Sequence, residues 1–332
     1  MKHRSLLIAC FGIITALCVL LAFGVAALAQ DDRVSIEPEQ RRGVKPTGEA
    51  DRIAFKVNSN LVLIPVLVTD PHDHAITGLG RQHFRLWDDN AEQVITDFAS
   101  EDLPISAAFV LDCSASMGDK LSKSREAITQ FLQSANPEDE FALVRFSDQP
   151  ELAQGLTTRT AEIQNGMLFT TAHGRTALLD AIVLAMDEMK HAKHSRKAIL
   201  IISDGGDNAS LYTLGELKKR IREADVQIYS IGIMEPPWAR ARTIEELQGP
   251  ALLYEISKET GGSLFQISDV QTLPAVALKI GMALRNEYVL GYAPTAEKRD
   301  GKYHRVRVKV EQPEGGPSLH VSFRTGYVAP SN

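Results

Sequence analysis

The chain has 332 residues, which at about 150 residues per domain leaves room for two domains, or for one large domain with an elaboration. With 44% hydrophobic and 23% charged residues, 23 Gly and 15 Pro, it is an ordinary globular mixture, which excludes collagenous, low-complexity and intrinsically disordered classes. A formal net charge of −6 excludes bulk attraction to nucleic acid or anionic lipid, since both need a basic face, so any partner is met at a local site.

The chain opens on the basic residues Lys2, His3 and Arg4, and an apolar run of 24 residues follows from Leu6 to Ala29. Ala27-Leu28-Ala29 then supplies the small-x-small pattern of a signal peptidase site. Residues 1–29 are therefore expected to be an export signal or, uncleaved, a membrane anchor long enough to span a bilayer. Either way the basic end stays inside and the remainder is exported, to the periplasm or the exterior. Leu7-Ile8-Ala9-Cys10 superficially matches a lipoprotein box but leaves almost no apolar run ahead of the cysteine. Cleavage after Ala29 removes Lys2 and Arg4 and leaves 303 residues with a net charge of −8. Of the three cysteines only Cys113 would remain, so no internal disulfide can form and stability must come from packing.

Residues 30–52 are polar, carry Pro38 and Pro46, and read as a flexible linker. Residues 53–102 then show strand-like runs: Leu61 to Thr69, the turn Asp70-Pro71-His72-Asp73, Phe84-Arg85-Leu86-Trp87, and Asp88-Asp89-Asn90 before Val94-Ile95. Such spacing predicts part of a small β-sandwich, with Pro65 at an edge or bulge.

From 103 to 284 the texture alternates. Apolar strands are expected at Ile105–Asp112, Phe141–Phe146, Ala198–Ile202 and Val226–Ile233, with helices at Leu121–Leu132, Ala177–Met189 and Leu214–Ala224. Continuous apolar strands between amphipathic helices predict an α/β domain with a doubly wound, mainly parallel sheet. Residues 285–332 return to strands at Tyr288–Tyr292, Val306–Val310 and Leu319–Phe323, with a turn at Lys298-Arg299-Asp300-Gly301. Three strands make a poor sheet alone. Pairing them with residues 53–102 gives one discontinuous β-sandwich carrying the α/β domain as an insertion, and two separate β modules are the alternative.

Working loops of open α/β sheets lie beyond the carboxyl ends of the strands. There the first apolar strand runs into Asp112-Cys113-Ser114-Ala115-Ser116 and a later one into Ser203-Asp204-Gly205-Gly206-Asp207-Asn208, with Gly174-Arg175-Thr176 opening a helix between them. The candidate set is two carboxylates, two serines and a threonine: Asp112, Ser114, Ser116, Thr176 and Asp204. An all-oxygen set suits Mg²⁺ or Mn²⁺ and does not suit a structural zinc.

Asp112-x-Ser114-x-Ser116, then Thr176, then Asp204 before a glycine, resembles the metal-ion-dependent adhesion site of von Willebrand factor type A domains, over roughly residues 103–284. The flanks, including Asp88-Asp89-Asn90 and Tyr288 to Tyr292, are similar to exported bacterial proteins described as von Willebrand factor A-related. The resemblance implies that Ser114 and Ser116 bind the metal through their hydroxyls and that Thr176 binds directly or through water. It also implies that Asp112 and Asp204 hold coordinated waters, and that an Asp or Glu of a partner protein completes the shell. Binding rather than turnover is the family's usual outcome. Ala115 stands where the common motif has Gly, at some cost in backbone freedom and no loss of a ligand. The Cys113 thiol is not expected to take part.

Blander readings exist for each feature. Asp-x-Ser-x-Ser alone is equally a turn with a helix cap, and Asp207 and Asn208 read as turn or capping residues. His173 beside Thr176 could act as a base for Ser114 with Asp204 orienting it, but no nucleophile elbow accompanies it. His72, Asp73 and His74 read as a solvated turn, and Gly205-Gly206 lacks the spacing of a phosphate loop. Glu235 to Arg242, with Trp238 between prolines and Arg240 and Arg242 nearby, is expected to be a loop on the site's rim, where Trp238 either anchors an acidic partner or plugs the loop. The sequence thus points to an exported or membrane-tethered binding module. A metal-assisted hydrolase and a scaffold with a vestigial metal site are the alternatives.

Overall fold

The computed structural model describes residues 61–329, except 73, 101, 235–242, 295–299 and 313–317. Residues 1–29 and 30–52, expected to be an export signal or anchor and a linker, and the expected rim segment Glu235 to Arg242 lie outside the described residues. Among the described residues no helix is long and apolar enough to cross a membrane.

The described residues begin with four strands, β1 (Val62–Thr69), β2 (Phe84–Asp88), β3 (Ala91–Gln93) and β4 (Asp97–Ala99). It then enters an α/β segment of β5 (Ile105–Asp112), α1 (Leu121–Gln133), β6 (Glu140–Phe146), β7 (Pro150–Thr157), α2 (Thr160–Met167), α3 (Leu178–Met189) and β8 (Arg196–Ser203). The segment continues through α4 (Leu214–Glu223), β9 (Gln227–Ile233), α5 (Ile244–Glu259), β10 (Leu264–Ile267) and α6 (Leu273–Arg285). The strands β11 (Tyr288–Tyr292), β12 (Tyr303–Val310), β13 (His320–Phe323) and β14 (Gly326–Val328) complete the described residues.

The α/β segment forms one six-stranded sheet in the order β10-β9-β8-β5-β6-β7. All its pairs are parallel except β6 with β7, which hangs antiparallel at the edge. Every residue of β5 is buried, as a strand covered on both faces requires. Alternate side chains enter two cores. Ile105, Ala107, Phe109 and Leu111 pack with α1 and α6, and Ala108 and Val110 pack with α3, α4 and α5. α4 and α5 each start at a threonine with a capping box, Thr213 with Glu216 and Thr243 with Glu246, which supplies partners for otherwise orphaned N–H groups.

Before and after this segment, the flanking strands make two four-stranded sheets, β13-β1-β11-β4 and β14-β12-β2-β3. Each sheet draws on strands from both sides of the α/β segment, so that segment is an insertion in a discontinuous β-sandwich with its own core of Ile64, Val66, Leu86, Leu290 and Tyr292 among others. Pro65 corrects the expectation of an edge strand, because β1 lies between β13 and β11. Pairing with β13 begins only at Val66, so the proline, which has no N–H, falls where one flank is not yet paired. The strand expected at Val94-Ile95 is also displaced: β3 is Ala91–Gln93 and Val94 is exposed.

Buried charge ties insertion to sandwich where the chain crosses between them. Arg196 donates to the carbonyls of Leu103 and Leu284, which flank the two crossings. Glu287 is buried and accepts from the Tyr229 hydroxyl at 2.9 Å, and Arg285 pairs with the buried Asp139. Removing one member leaves its partners desolvated and uncompensated. Arg196→Ala is expected to lower unfolding stability by about 3–5 kcal/mol in chemical denaturation; a loss below about 1 kcal/mol would show the crossing does not depend on it.

A second charged cluster closes the sandwich. Asp89 and Asn90, at φ 46° and 72°, make the tight turn between β2 and β3. The His304 ring lies between carboxylates, Nδ1 at 2.6 Å from Asp89 and Nε2 at 3.0 Å from Asp300, while Asp88 accepts from Tyr292 and Tyr327. The ligand atoms of Asp88, Asp89 and His304 lie within 4.8 Å of one another. Both ring nitrogens already face carboxylates, which marks His304 as an imidazolium. Burial opposes the charged ring, but Asp89 and Asp300 outweigh it and raise its pKa. A pKa raised on folding stabilises fully below the unfolded value near 6.5 and is lost as pH climbs through the folded value. Thermal unfolding across pH 6 to 9 is therefore expected to show a steeper decline in wild type than in His304→Gln; parallel profiles would contradict the assignment.

Candidate functional site

Sheet order selects the place. From β5 the chain moves outward to β6 on one side, then returns to add β8, β9 and β10 on the other. The crevice between the carboxyl ends of β5 and β8 is thus the topological switch point, where open α/β sheets bind ligands. Asp112 ends β5, and Asp204 follows Ser203 at the end of β8.

Asp112 is fully buried. One carboxylate oxygen accepts the Ser114 N–H at 2.8 Å and the other accepts the Ser203 hydroxyl at 2.6 Å, while Ser203 Oγ in turn accepts the Gly205 N–H at 2.9 Å. Ser203 therefore joins the two motif loops. Burial, and after it the negative charge of Asp204, push the Asp112 carboxyl up to about 7. Two carboxylates face one low-dielectric space there.

The Ser114 and Ser116 hydroxyls lie 3.1 Å apart, Ser114 buried and Ser116 half-buried. Thr176 is brought in through its backbone. Ala115 N–H donates to the Gly174 carbonyl at 3.2 Å, Thr176 N–H donates to Asn208 Oδ1 at 2.9 Å, and Asn208 N–H returns to the Thr176 carbonyl at 3.0 Å. The Gly174–Thr176 turn precedes the helix rather than opening it, since α3 begins at Leu178. Asp207 accepts from the Ser210 hydroxyl and the Leu179 N–H, so Asp207 and Asn208 cap and brace the threonine loop.

Lys120, at the start of α1, sends its ammonium to the Ser116 carbonyl at 2.9 Å and to Asp204 Oδ2 at 3.4 Å, with both charged side chains only 7% exposed. Sequence reasoning missed Lys120 and Ser203. The serine stood in the apolar-Ser-Asp-Gly context as a visible signal, but a lysine at a helix start gives none. Cys113 is buried in the core, its Sγ 3.5 Å from the Leu111 carbonyl, and burial pushes its thiol up to about 12. His173 does not take up the disfavoured arrangement of a base for Ser114. Its Nδ1 faces the Thr171 carbonyl at 3.0 Å and so carries the proton, which leaves Nε2 to accept from the Ser147 hydroxyl at 3.3 Å. The ring is held against Ser147 instead of Ser114. The turn at His72 is braced by Asp70, which accepts the backbone N–H groups of His72 and His74, and Asp73 lies outside the described residues.

The donor set is carboxylate and hydroxyl oxygen throughout, and its paired buried negative charges call for a cation. That is the environment a hard divalent ion takes, and the residues fit one.

Residues 107–206 match the model of the von Willebrand factor type A domain, and the inserted α/β segment is a domain of that family. The chain is similar to an uncharacterized protein of Borreliella burgdorferi, 26% identical over 182 residues, covering 48% of this chain and 53% of that protein. It is also similar to mouse inter alpha-trypsin inhibitor, heavy chain 4, 29% identical over 150 residues, covering 40% of this chain and 16% of the mouse protein. The chain thus spans about half the length of the first and about a sixth of the second. Among solved structures, a von Willebrand factor type A protein from Catenulispora acidiphila aligns over 84% of this chain and 76% of its own, with 16% identity and a TM-score of 0.48. Domains of this family are commonly adhesion or assembly modules.

The rim depends on one close approach. Gly205 has φ +85°, and a Cβ there would lie 2.8 Å from the backbone of Gly249 in α5. Gly205→Ala combines left-handed backbone strain with this clash and is expected to cost about 2 kcal/mol or more in chemical denaturation. A variant within about 0.5 kcal/mol of wild type would show that the turn relaxes freely.

Proposed function

We propose that this chain is an exported, divalent-metal-dependent protein-binding module of the cell envelope, in which the metal bridges to an Asp or Glu carboxylate of the partner. The observation that carries the reading is the pair of buried carboxylates, Asp112 and Asp204, set with Ser114 and Ser116 at the switch point of a von Willebrand factor type A sheet. Mg²⁺ or Mn²⁺ would be held by Ser114, Ser116 and Thr176, with Asp112 and Asp204 orienting its waters. When bound, the ion supplies an electrophilic centre with an open position for an acidic ligand. Ser203 and the Ser114 N–H fix the Asp112 carboxylate, and Asn208 fixes the threonine loop, so the donors need little reorganisation when the ion arrives.

The surroundings suit recognition of a protein. Phe169, in the loop leading to Thr176, is 95% exposed at φ 60°, and Leu211, in the loop after β8, is 90% exposed. A solvent-facing aromatic held in a sparsely populated backbone region is costly, and a partner contact accounts for it. The relatives that share the domain are mostly non-enzymatic binding modules, which supports binding over turnover. Export rests on the basic and apolar N-terminal segment of the sequence.

Calorimetric titration of the purified chain with Mg²⁺ and Mn²⁺, paired with thermal unfolding, tests the reading. At a hundredfold excess over the dissociation constant, bound metal is expected to add about 2.7 kcal/mol of stability. Ser114→Ala combined with Ser116→Ala should abolish both the heat and the gain. Absence of any metal-dependent effect in wild type at millimolar concentrations would refute the proposal.

A further inference from the structure

The Lys120 ammonium stands inside the site proposed to take the metal. Lysine is rarely buried unless paired, and Lys120 is 5% exposed overall. Its backbone is fixed at both ends: its N–H donates to the Met117 carbonyl at 3.0 Å, and its carbonyl receives the Ser124 N–H at 2.9 Å. From there the side chain reaches past the Ser116 carbonyl to Asp204, 84 residues further along the chain and just beyond the end of β8. The lysine thus holds the same carboxylate that the metal reading assigns to the ion's waters, and grips the backbone of a serine assigned as a direct ligand.

We infer that Lys120 is a resident counter-cation of the rim, competing with the divalent ion for Asp204 and setting the metal affinity of the site low. The inference rests on the proposed metal reading. A fixed ammonium beside a second, doubly charged cation is repulsive, and burial leaves little water to screen it. The same ammonium offsets the mutual repulsion of Asp112 and Asp204 when no metal is bound, so the domain keeps a folded metal-free state. A site built this way fills only at high metal concentration and responds to changes in that concentration.

Lys120→Met removes the charge and keeps most of the buried stem, and Lys120→Arg keeps the charge. Wild type and both variants are titrated with MgCl₂ and with MnCl₂ by calorimetry, and thermal unfolding is followed in EDTA and in excess Mg²⁺. Lys120→Met is expected to bind each ion about tenfold more tightly or better, a change of about 1.4 kcal/mol. It should unfold at lower temperature than wild type in EDTA and regain that difference with Mg²⁺. Lys120→Arg should bind like wild type. If Lys120→Met does not fold, Lys120→Gln, which retains a donor for the Ser116 carbonyl, replaces it. Equal or weaker binding by the neutral variant, with wild type binding normally, overturns the competition and leaves the metal site standing. Binding by the neutral variant alone shows that the lysine blocks the wild-type site outright instead of tuning it, which overturns this inference together with the proposed metal-dependent function. No binding by any of them removes the metal reading and this inference together.

Discussion

Two carboxylates buried side by side at the ends of neighbouring parallel strands are the constraint around which the site is organised. Asp112 has no exposed surface, and the Asp204 charge adds to burial in raising its pKa to about 7. Such a pair is stable only where donors and a cation surround it. The chain supplies the Ser203 hydroxyl and the Ser114 N–H to Asp112 and the Lys120 ammonium to Asp204.

The rest of the fold holds that pair in place. β5 and β8 are adjacent and in parallel register along almost their whole length, from Ile105 with Arg196 to Leu111 with Ile202, so their ends cannot drift apart without breaking the sheet. α5 lies directly on the Asp204 turn through Gly205 and Gly249. At the opposite end of the sheet, Arg196, Arg285, Asp139 and Glu287 anchor both chain crossings to the sandwich. The motif loops are thus carried at one end of the sheet, and the other end is committed to the sandwich.

Much of this was legible in the sequence for identifiable physical reasons. Strands buried on both faces are runs of apolar residues, so β5, β8 and β9 announced themselves, and the motif loops follow directly from the first two. β7 was not legible, because Pro150–Thr157 is a half-exposed edge strand of mixed composition, irregularly paired with β6. α5 contains Gly249 and Pro250, residues that argue against a helix until the glycine's contact with Gly205 explains one of them. The three-residue strands β3, β4 and β14 carry too few positions for any period. Within the site, Asp112, Ser114, Ser116, Thr176 and Asp204 could be proposed from spacing and resemblance, but Lys120 could not. A charged residue at a helix start is ordinarily solvated, and only tertiary packing brings this one to Asp204. Likewise His304 and Asp89, 215 residues apart, meet only because β12 returns beside β2.

We propose that the Asp112 and Asp204 pair, with its serine and threonine neighbours, defines a divalent-cation site. Crystals of the chain grown with Mn²⁺ and measured for anomalous scattering test it most directly. An anomalous peak is expected between the Ser114 and Ser116 hydroxyls, beside the Asp112 and Asp204 carboxylates. A map with no peak there, or with its only peak at Asp88, Asp89 and His304 in the sandwich, would contradict it.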